Sequence, residues 1–355
     1  MNLLRLILYP ISLLYGLITM IRNKFFDKNI LKSNSFKVPV ISVGNLTMGG
    51  TGKSPHVEYL IRLLGNDYNV TTLSRGYKRK TKGFILADEN TSAGEIGDEP
   101  FQFKSKFENI QVAVDEKRVH GIEKILELKP DTDVVLLDDA FQHRYVKPGL
   151  SILLTDFHNL YNQDYIVPSG SLREFASGAN RADIIVVTKC AKVLSPLTRT
   201  RINAELKPQP HQKLYFSYIE HGDFTAIPGL KFIPEIKKKY STILLVAGIA
   251  NSYPLEFYLK NRCIDLEILK FPDHHQYTKK DITRIVETYD SILSQKKVIV
   301  TTEKDAMRLM NPEFVKMLKH FPVCYVPIEM KFHKEDKIKF DNQIISYVKE
   351  NSRDD

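Results

Sequence analysis

Behind an apolar start, the chain alternates short, unbroken apolar runs with longer amphipathic ones. The runs VPVISV at 38–43, NVTTLS at 69–74, IQVAV at 110–114, DVVLLDD at 133–139, LSILLTD at 150–156 and DIIVVT at 183–188 lack the polar alternation of a half-exposed strand. Between them lie the helical stretches VEYLIRLL at 57–64 and VHGIEKILEL at 119–128. Strands that are apolar on both sides and separated by helices predict a parallel sheet covered on both faces, an α/β fold. In the first helix Val57, Leu60, Ile61 and Leu64 recur at i, i+3, i+4, i+7, one stripe to pack on that sheet.

The pattern weakens over residues 191–240, where Pro196, Pro208, Pro210, Pro228 and Pro234 and the run KKK at 237–239 punctuate it. A second series then begins with STILLVAGIA at 241–250 and continues through CIDLEILKF, DITRIVETYDSIL, KKVIVTT at 296–302 and VCYVPI at 323–328. These shifts predict an N-terminal segment at 1–37, a first α/β domain at 38–205, a linker at 206–240 and a smaller α/β domain at 241–355 that completes a ligand cleft.

The N-terminal segment carries sixteen uncharged residues between Arg5 and Arg22. As a helix, Leu3 to Arg22 falls short of the roughly 30 Å hydrocarbon core of a bilayer, so a full span is not expected. Arg22, Lys24, Lys28, Lys32 and Lys37 follow, opposed only by Asp27. An apolar helix with a basic flank suits a monotopic anchor on an anionic leaflet; a core helix and a cleaved signal peptide are the other readings of the segment. Composition adds little: a net charge of +9 favours an anionic partner, whether nucleotide, nucleic acid or phospholipid. Cys190, Cys263 and Cys324 are scattered and odd in number, which indicates neither a disulfide framework nor a metal clip.

Candidate chemistry begins at GNLTMGGTGKS, residues 44–54, directly behind the first strand. Gly49, Gly50 and Gly52 allow the backbone to turn its N–H groups inward, and the following helix N-terminus adds positive potential, so the loop suits phosphate. Thr47, Met48, Gly49, Gly50, Thr51, Gly52, Lys53 and Ser54 are the expected ATP-binding residues, with Lys53 on the β/γ oxygens and Ser54 on Mg²⁺. Thr47 stands where the strict phosphate-loop spacing has glycine. Asp138 and Asp139, at the end of an apolar strand, are the expected acids for Mg²⁺, and Glu99 is counted with them. Further polar clusters occur at SRGYKRK (74–80), GDEP (97–100), FQHR (141–144), SGSLREF (169–175), FPDHH (271–275) and TTEKDAMRL (301–309). Asp98, ahead of Glu99 and Pro100, reads locally as a helix N-cap. No nucleic-acid motif accompanies the basic loop.

Taken in order, VGNLTMGGTGKSP, LSRGYKRK, GDEP, LLDDAFQHR, SGSLREF, FPDHH and TTEKDAMRL resemble the tetraacyldisaccharide 4'-kinase family, the lipid A 4'-kinases. The chain departs from the family spelling at Ser54, Ala140 and Phe175. The resemblance implies a P-loop NTPase-like parallel sheet sandwiched by helices, a second α/β/α domain, and transfer of the γ-phosphoryl of ATP to the 4'-hydroxyl of a tetraacylated glucosamine disaccharide 1-phosphate. It also implies a catalytic base at Asp98 with a histidine partner at His274, and cleft positions at Arg75, Tyr77, Arg118, Gln142 and His143. A lipid with four acyl chains would bring the enzyme to the membrane surface, on the cytoplasmic face. The competing class is a membrane-associated P-loop ATPase or GTPase switch with no small acceptor.

Overall fold

The structure, a computed structural model, describes residues 3–235, 239–273 and 275–352. The chain divides into two compact units: residues up to Ile219 together with those from Met330 onward, and residues Glu220–Glu329. The first unit runs α1 (Leu3–Asp27), β1 (Val40–Asn45), α2 (Lys53–Leu64), β2 (Val70–Ser74), β3 (Ile85–Leu86), α3 (Ala93–Ile96), α4 (Asp98–Lys106), β4 (Gln111–Val114), α5 (Arg118–Leu128), β5 (Val134–Asp138), β6 (Leu150–Asp156), β7 (Ile184–Thr188), α6 (Pro196–Leu206) and β8 (Lys213–His221). The second holds β9 (Thr225–Ala226), β10 (Tyr240–Ala247), α7 (Tyr253–Lys260), β11 (Cys263–Lys270), α8 (Lys279–Ser291), β12 (Lys297–Thr302), α9 (Glu303–Leu309), α10 (Pro312–Leu318) and β13 (Val323–Val326). The chain then returns to the first sheet through β14 (Ile328–Phe332) and ends in α11 (Lys334–Asn351).

The first sheet has the order β14-β8-β7-β6-β1-β5-β2-β4-β3. From β4 to β8 the neighbours are parallel, and β3 closes one edge antiparallel to β4. The unbroken apolar runs follow from this two-sided cover. Val134 and Leu136 of β5 enter one apolar cluster with the α2 stripe of Val57, Leu60, Ile61 and Leu64, while Val135 and Leu137 enter another with Ile122 and Ile125 of α5. In the second unit the order is β11-β10-β12-β13-β9. Leu244 and Val246 of β10 pack on one face, and Ile243, Leu245 and Ala247 on the other.

The boundaries differ from those the sequence suggested. Residues 213–221 are strand β8, paired in parallel with β7, so the proposed linker at 206–240 contains part of the first sheet. Residues from Met330 onward belong to the first unit, not to the smaller domain: Phe340, Ile344 and Val348 of α11 are buried in the same cluster as the α2 stripe.

Helix α1 continues through Pro10 for 25 residues. Among the described residues, no helix is long and apolar enough to cross a membrane. One face docks on the body of its unit. Ser12 donates to the Ser169 hydroxyl at 2.9 Å, Asn23 to Glu174 at 2.6 Å, and Phe26 meets Tyr145 edge-on. Gly16 lies so close to Ile166 and Phe175 that a Cβ would come within 2.7 and 2.8 Å of them, which gives the unusual Phe175 a packing role. The opposite face, Ile7, Ile11, Leu14, Ile18, Ile21 and Phe25, is exposed.

Candidate active site

Parallel pairing of β1 with β5 places Val43 beside Asp138, so the glycine loop leaves β1 next to the acid that ends β5. The loop crosses into α2 without a side-chain cap; Gly52, at φ 85°, takes the N-cap position. That left-handed conformation suits glycine and leaves the first N–H groups of the helix free for an anion. Pro55 sits within the first turn, where it forfeits no helical hydrogen bond.

Several contacts that hold the loop come from distant segments. Met48 donates its backbone N–H to Ser171 at 2.6 Å, and Arg173 donates its own to Leu46 at 2.7 Å, so SGSLREF braces the start of the loop. Thr188, at the end of β7, donates to the Thr51 carbonyl at 2.9 Å. His56 on α2 is buried, with Nδ1 2.6 Å from the Gly52 carbonyl and Nε2 3.0 Å from the Ser217 hydroxyl of β8. A carbonyl only accepts, so Nδ1 carries the proton and Nε2 receives the hydroxyl of Ser217. Burial pushes this imidazole down to about 4.

Lys53 reaches back over the loop. Its Nζ lies 3.4 Å from Asn45 Oδ1 and 3.7 Å from Asp139 Oδ1. Asp139, in the left-handed region at φ 48°, is held by two bonds from Arg173, at 2.9 and 3.2 Å. Burial alone would raise its carboxyl, but Lys53 and Arg173 outweigh burial and hold it below its ordinary value. Asp138 is the opposite case. Burial, with Asp139 next and Glu99 also contributing, raises it to about 6 against Lys53 and Arg118. Its Oδ2 accepts from Ser74 at 3.4 Å, and its buried Oδ1 has no hydrogen-bond partner among the described residues. The two adjacent acids are thus unlike: Asp139 is already neutralised by side-chain cations, while Asp138 presents an unpartnered oxygen.

That orphaned oxygen supplies the test for Mg²⁺. Magnesium is commonly held by one or two carboxylates plus substrate phosphates and waters rather than by an all-protein cage. A buried carboxylate oxygen beside a phosphate loop whose helix carries the Ser54 hydroxyl fits that donor set. Among the described residues there is no cluster of three or more His, Cys, Asp or Glu side chains able to hold a metal without such a ligand.

The remaining expected residues divide by location. Arg118 opens α5 and is almost wholly buried, donating to the carbonyls of Asp115 and, at 3.3 Å, Asp138; burial pulls its guanidinium down to about 10. His143 is pushed to about 4 by burial and then by Arg118, Arg75 and Arg22, and its buried Nδ1 is unpartnered among the described residues. Gln142 donates to the Asn45 carbonyl at 2.8 Å and to Glu174 at 3.2 Å, and it accepts from Arg173. Arg75 and Tyr77 are exposed on the loop after β2. Asp98 is the first residue of α4, not its cap; Gly97, at φ 95°, occupies that position, and Glu99 follows in the first turn. His274 lies outside the described residues. In the second unit its neighbour His275 stacks on Phe271 at 4.8 Å and bonds Asp281 at 3.0 Å.

Sequence reasoning assigned no role to Asn45, His56, Arg173, Glu174 or Ser217. Arg173 and Glu174 stand in a segment whose polarity was noted, while Asn45, at the strand end, and His56, inside an apolar stripe, carry little signal of their own.

A glycine loop between the central parallel strand and its helix, with a lysine over it and, ending the next strand, an acid that keeps one oxygen unpartnered among the described residues, defines the phosphate-loop class of nucleotide-dependent enzymes. Within that class, residues 4–349 match the family described as tetraacyldisaccharide-1-P 4'-kinase, and the chain belongs to that family. It is 49% identical over 351 residues to the tetraacyldisaccharide 4'-kinase of Flavobacterium johnsoniae, covering 99% of each chain. To the enzyme of the same name from Bacteroides thetaiotaomicron it is 46% identical, over 98% of this chain and 94% of that one. The crystal structure of the "apo" form of LpxK from Aquifex aeolicus in complex with ATP superposes with a TM-score of 0.73 at 29% identity, covering 98% of this chain and 99% of the other.

Proposed function

We infer that the chain is an ATP-dependent lipid kinase that transfers the γ-phosphoryl group of ATP to the 4'-hydroxyl of a tetraacyldisaccharide 1-phosphate, forming lipid IVA in lipid A biosynthesis. The observation that carries this reading is membership of the kinase family over nearly the whole chain, joined to a phosphate loop with Lys53 and Asp138 at its mouth. A P-loop switch without an acceptor is disfavoured, because relatives matched over 94% or more of their length carry the kinase name.

In this reading the inward N–H groups of residues 49–54 cradle the phosphates, and Lys53 neutralises charge on the transferred group. Asp98 accepts the proton of the 4'-hydroxyl as that oxygen bonds to the γ-phosphorus and the bond to the β,γ-bridging oxygen breaks, releasing ADP. His274 is the histidine that the family resemblance assigns to that carboxylate. Asp138 and Ser54 would hold Mg²⁺, with Asp139 and Glu99 completing the acidic surroundings; when bound, the ion neutralises charge across the β- and γ-phosphates. Arg75, Tyr77, Arg118, Gln142 and His143 contribute to the acceptor side. The exposed stripe of α1, followed by Arg22, Lys24, Lys28 and Lys32, supports monotopic association with the cytoplasmic face of the inner membrane, where a four-chain lipid resides.

Purified protein with ATP, Mg²⁺ and the disaccharide 1-phosphate should yield a 4'-phosphorylated product and ADP in equal amounts. Asp98→Ala should lower kcat by about a hundredfold to ten-thousandfold with the fold intact. ADP formation without the lipid, and no faster with it, would sink the kinase reading.

A further inference from the structure

Two helices present the candidate chemistry by their first turns, α2 with Lys53 and Ser54 and α4 with Asp98 and Glu99. One turn further along, a buried polar clamp joins them. Glu58 of α2 is 1% exposed, yet it carries a carboxylate. Its Oε1 accepts from Gln102 of α4 at 2.7 Å; its Oε2 accepts from Lys106 of α4 at 2.7 Å and from Arg62 at 3.1 Å. Gln102 is itself buried.

The spacing gives this contact a consequence. Ser54 and Glu58 are four residues apart, as are Asp98 and Gln102, so each pair is stacked on one helix face. Helix α2 leaves β1 and α4 enters β4, strands that run parallel through β5 and β2, so both helices oppose the strands and point their N-termini the same way. A bond between residues 58 and 102 therefore brings the first turns of the two helices side by side. An apolar residue at 58 would pack α2 without the desolvation cost of a buried charge. It would not fix the sliding or rotation of α4, which directional hydrogen bonds do.

We propose that Glu58 and Gln102 are positioning residues for phosphoryl transfer, and that their hydrogen bond sets the placement of Asp98 relative to the phosphate end of the loop. The proposal rests on the reading of Asp98 as the base. Misplacement of a reacting group by an ångström costs on the order of a hundredfold in rate, and the clamp acts on the helix that carries that group.

The test exchanges the partners. Gln102→Glu removes the donor and sets two carboxylates against each other, Glu58→Gln keeps a carbonyl oxygen that accepts from Gln102, and the double variant E58Q/Q102E restores an amide donor facing a carboxylate, now in line with Lys106. With ATP, Mg²⁺ and the disaccharide lipid, Gln102→Glu should lose at least about fivefold in kcat while KM for ATP stays within about twofold, and Glu58→Gln should stay within about threefold of the parent. The double variant should exceed Gln102→Glu and return to within about threefold of the parent. Thermal unfolding of each variant normalises the rates to folded protein; if Gln102→Glu does not fold, Gln102→Leu, which removes the donor without adding a charge, should show the same loss. A double variant no faster than Gln102→Glu overturns the proposal, as does a loss of stability with kcat unchanged. If the parent makes no product, or Asp98→Ala turns over at the parent rate, the kinase or base reading has failed instead.

Discussion

Acidification should weaken the fold through one imidazole beneath the phosphate loop. His56 is buried and its pKa falls from 6.5 to about 4, because burial penalises the cation more than the bond to Gly52 supports it. The folded value lies below the unfolded one, so the unfolded chain takes up the proton first. The stability held by the neutral ring is fully present above about pH 6.5 and drains away as the pH falls toward 4. Over the whole window the shift corresponds to about 3 kcal/mol, of which about 2 is spent between about pH 7.5 and pH 5. His56→Asn keeps an amide donor for the Gly52 carbonyl but cannot titrate. Urea unfolding of parent and variant at both pH values isolates the effect, since His143, also lowered to about 4, contributes equally to each protein. The parent should lose about 2 kcal/mol more than His56→Asn on going to the acid condition. Parallel losses within about 0.5 kcal/mol would refute the assignment.

Two further outcomes follow from packing. Gly44→Ala would put a Cβ 2.7 Å from the Cβ of Phe141 and 2.8 Å from its backbone nitrogen, neither of which can swing away. A loss of about 2–3 kcal/mol is expected, and an unchanged melting temperature would contradict the close approach. Replacing Ile11, Leu14 and Ile18 together by serine removes the middle of the exposed α1 stripe. Binding to vesicles containing anionic lipid should fall at least about tenfold with the melting temperature unchanged; equal binding would exclude that face as the contact.

The strands were legible where both faces of the sheet are covered: Val134–Leu137 and Ile243–Val246 are apolar without interruption. Strand β8 was not, since LYFSYI follows a proline-punctuated stretch and is shorter on aliphatic residues than its neighbours. Helix α11 shows the limit of periodicity. Phe340, Ile344 and Val348 mark a buried face, but nothing local says that the face returns to a core begun near residue 41. The glycine loop and the two acids were readable because each is a local signature. What tells Asp138 from Asp139 is not local: Arg173 comes from 34 residues away. The start of α4 was misread by one position because a left-handed glycine took the cap that aspartate usually fills.

The return of the chain from Met330 into the first unit also orders events during synthesis. A ribosome making this protein completes Glu220–Glu329 while the older, larger unit still lacks β14 and α11, and with them Phe332, Phe340, Ile344 and Val348 of its core. Domains close as units when their last segment emerges. The nascent chain therefore carries a finished phosphate-loop sequence on an unfinished core.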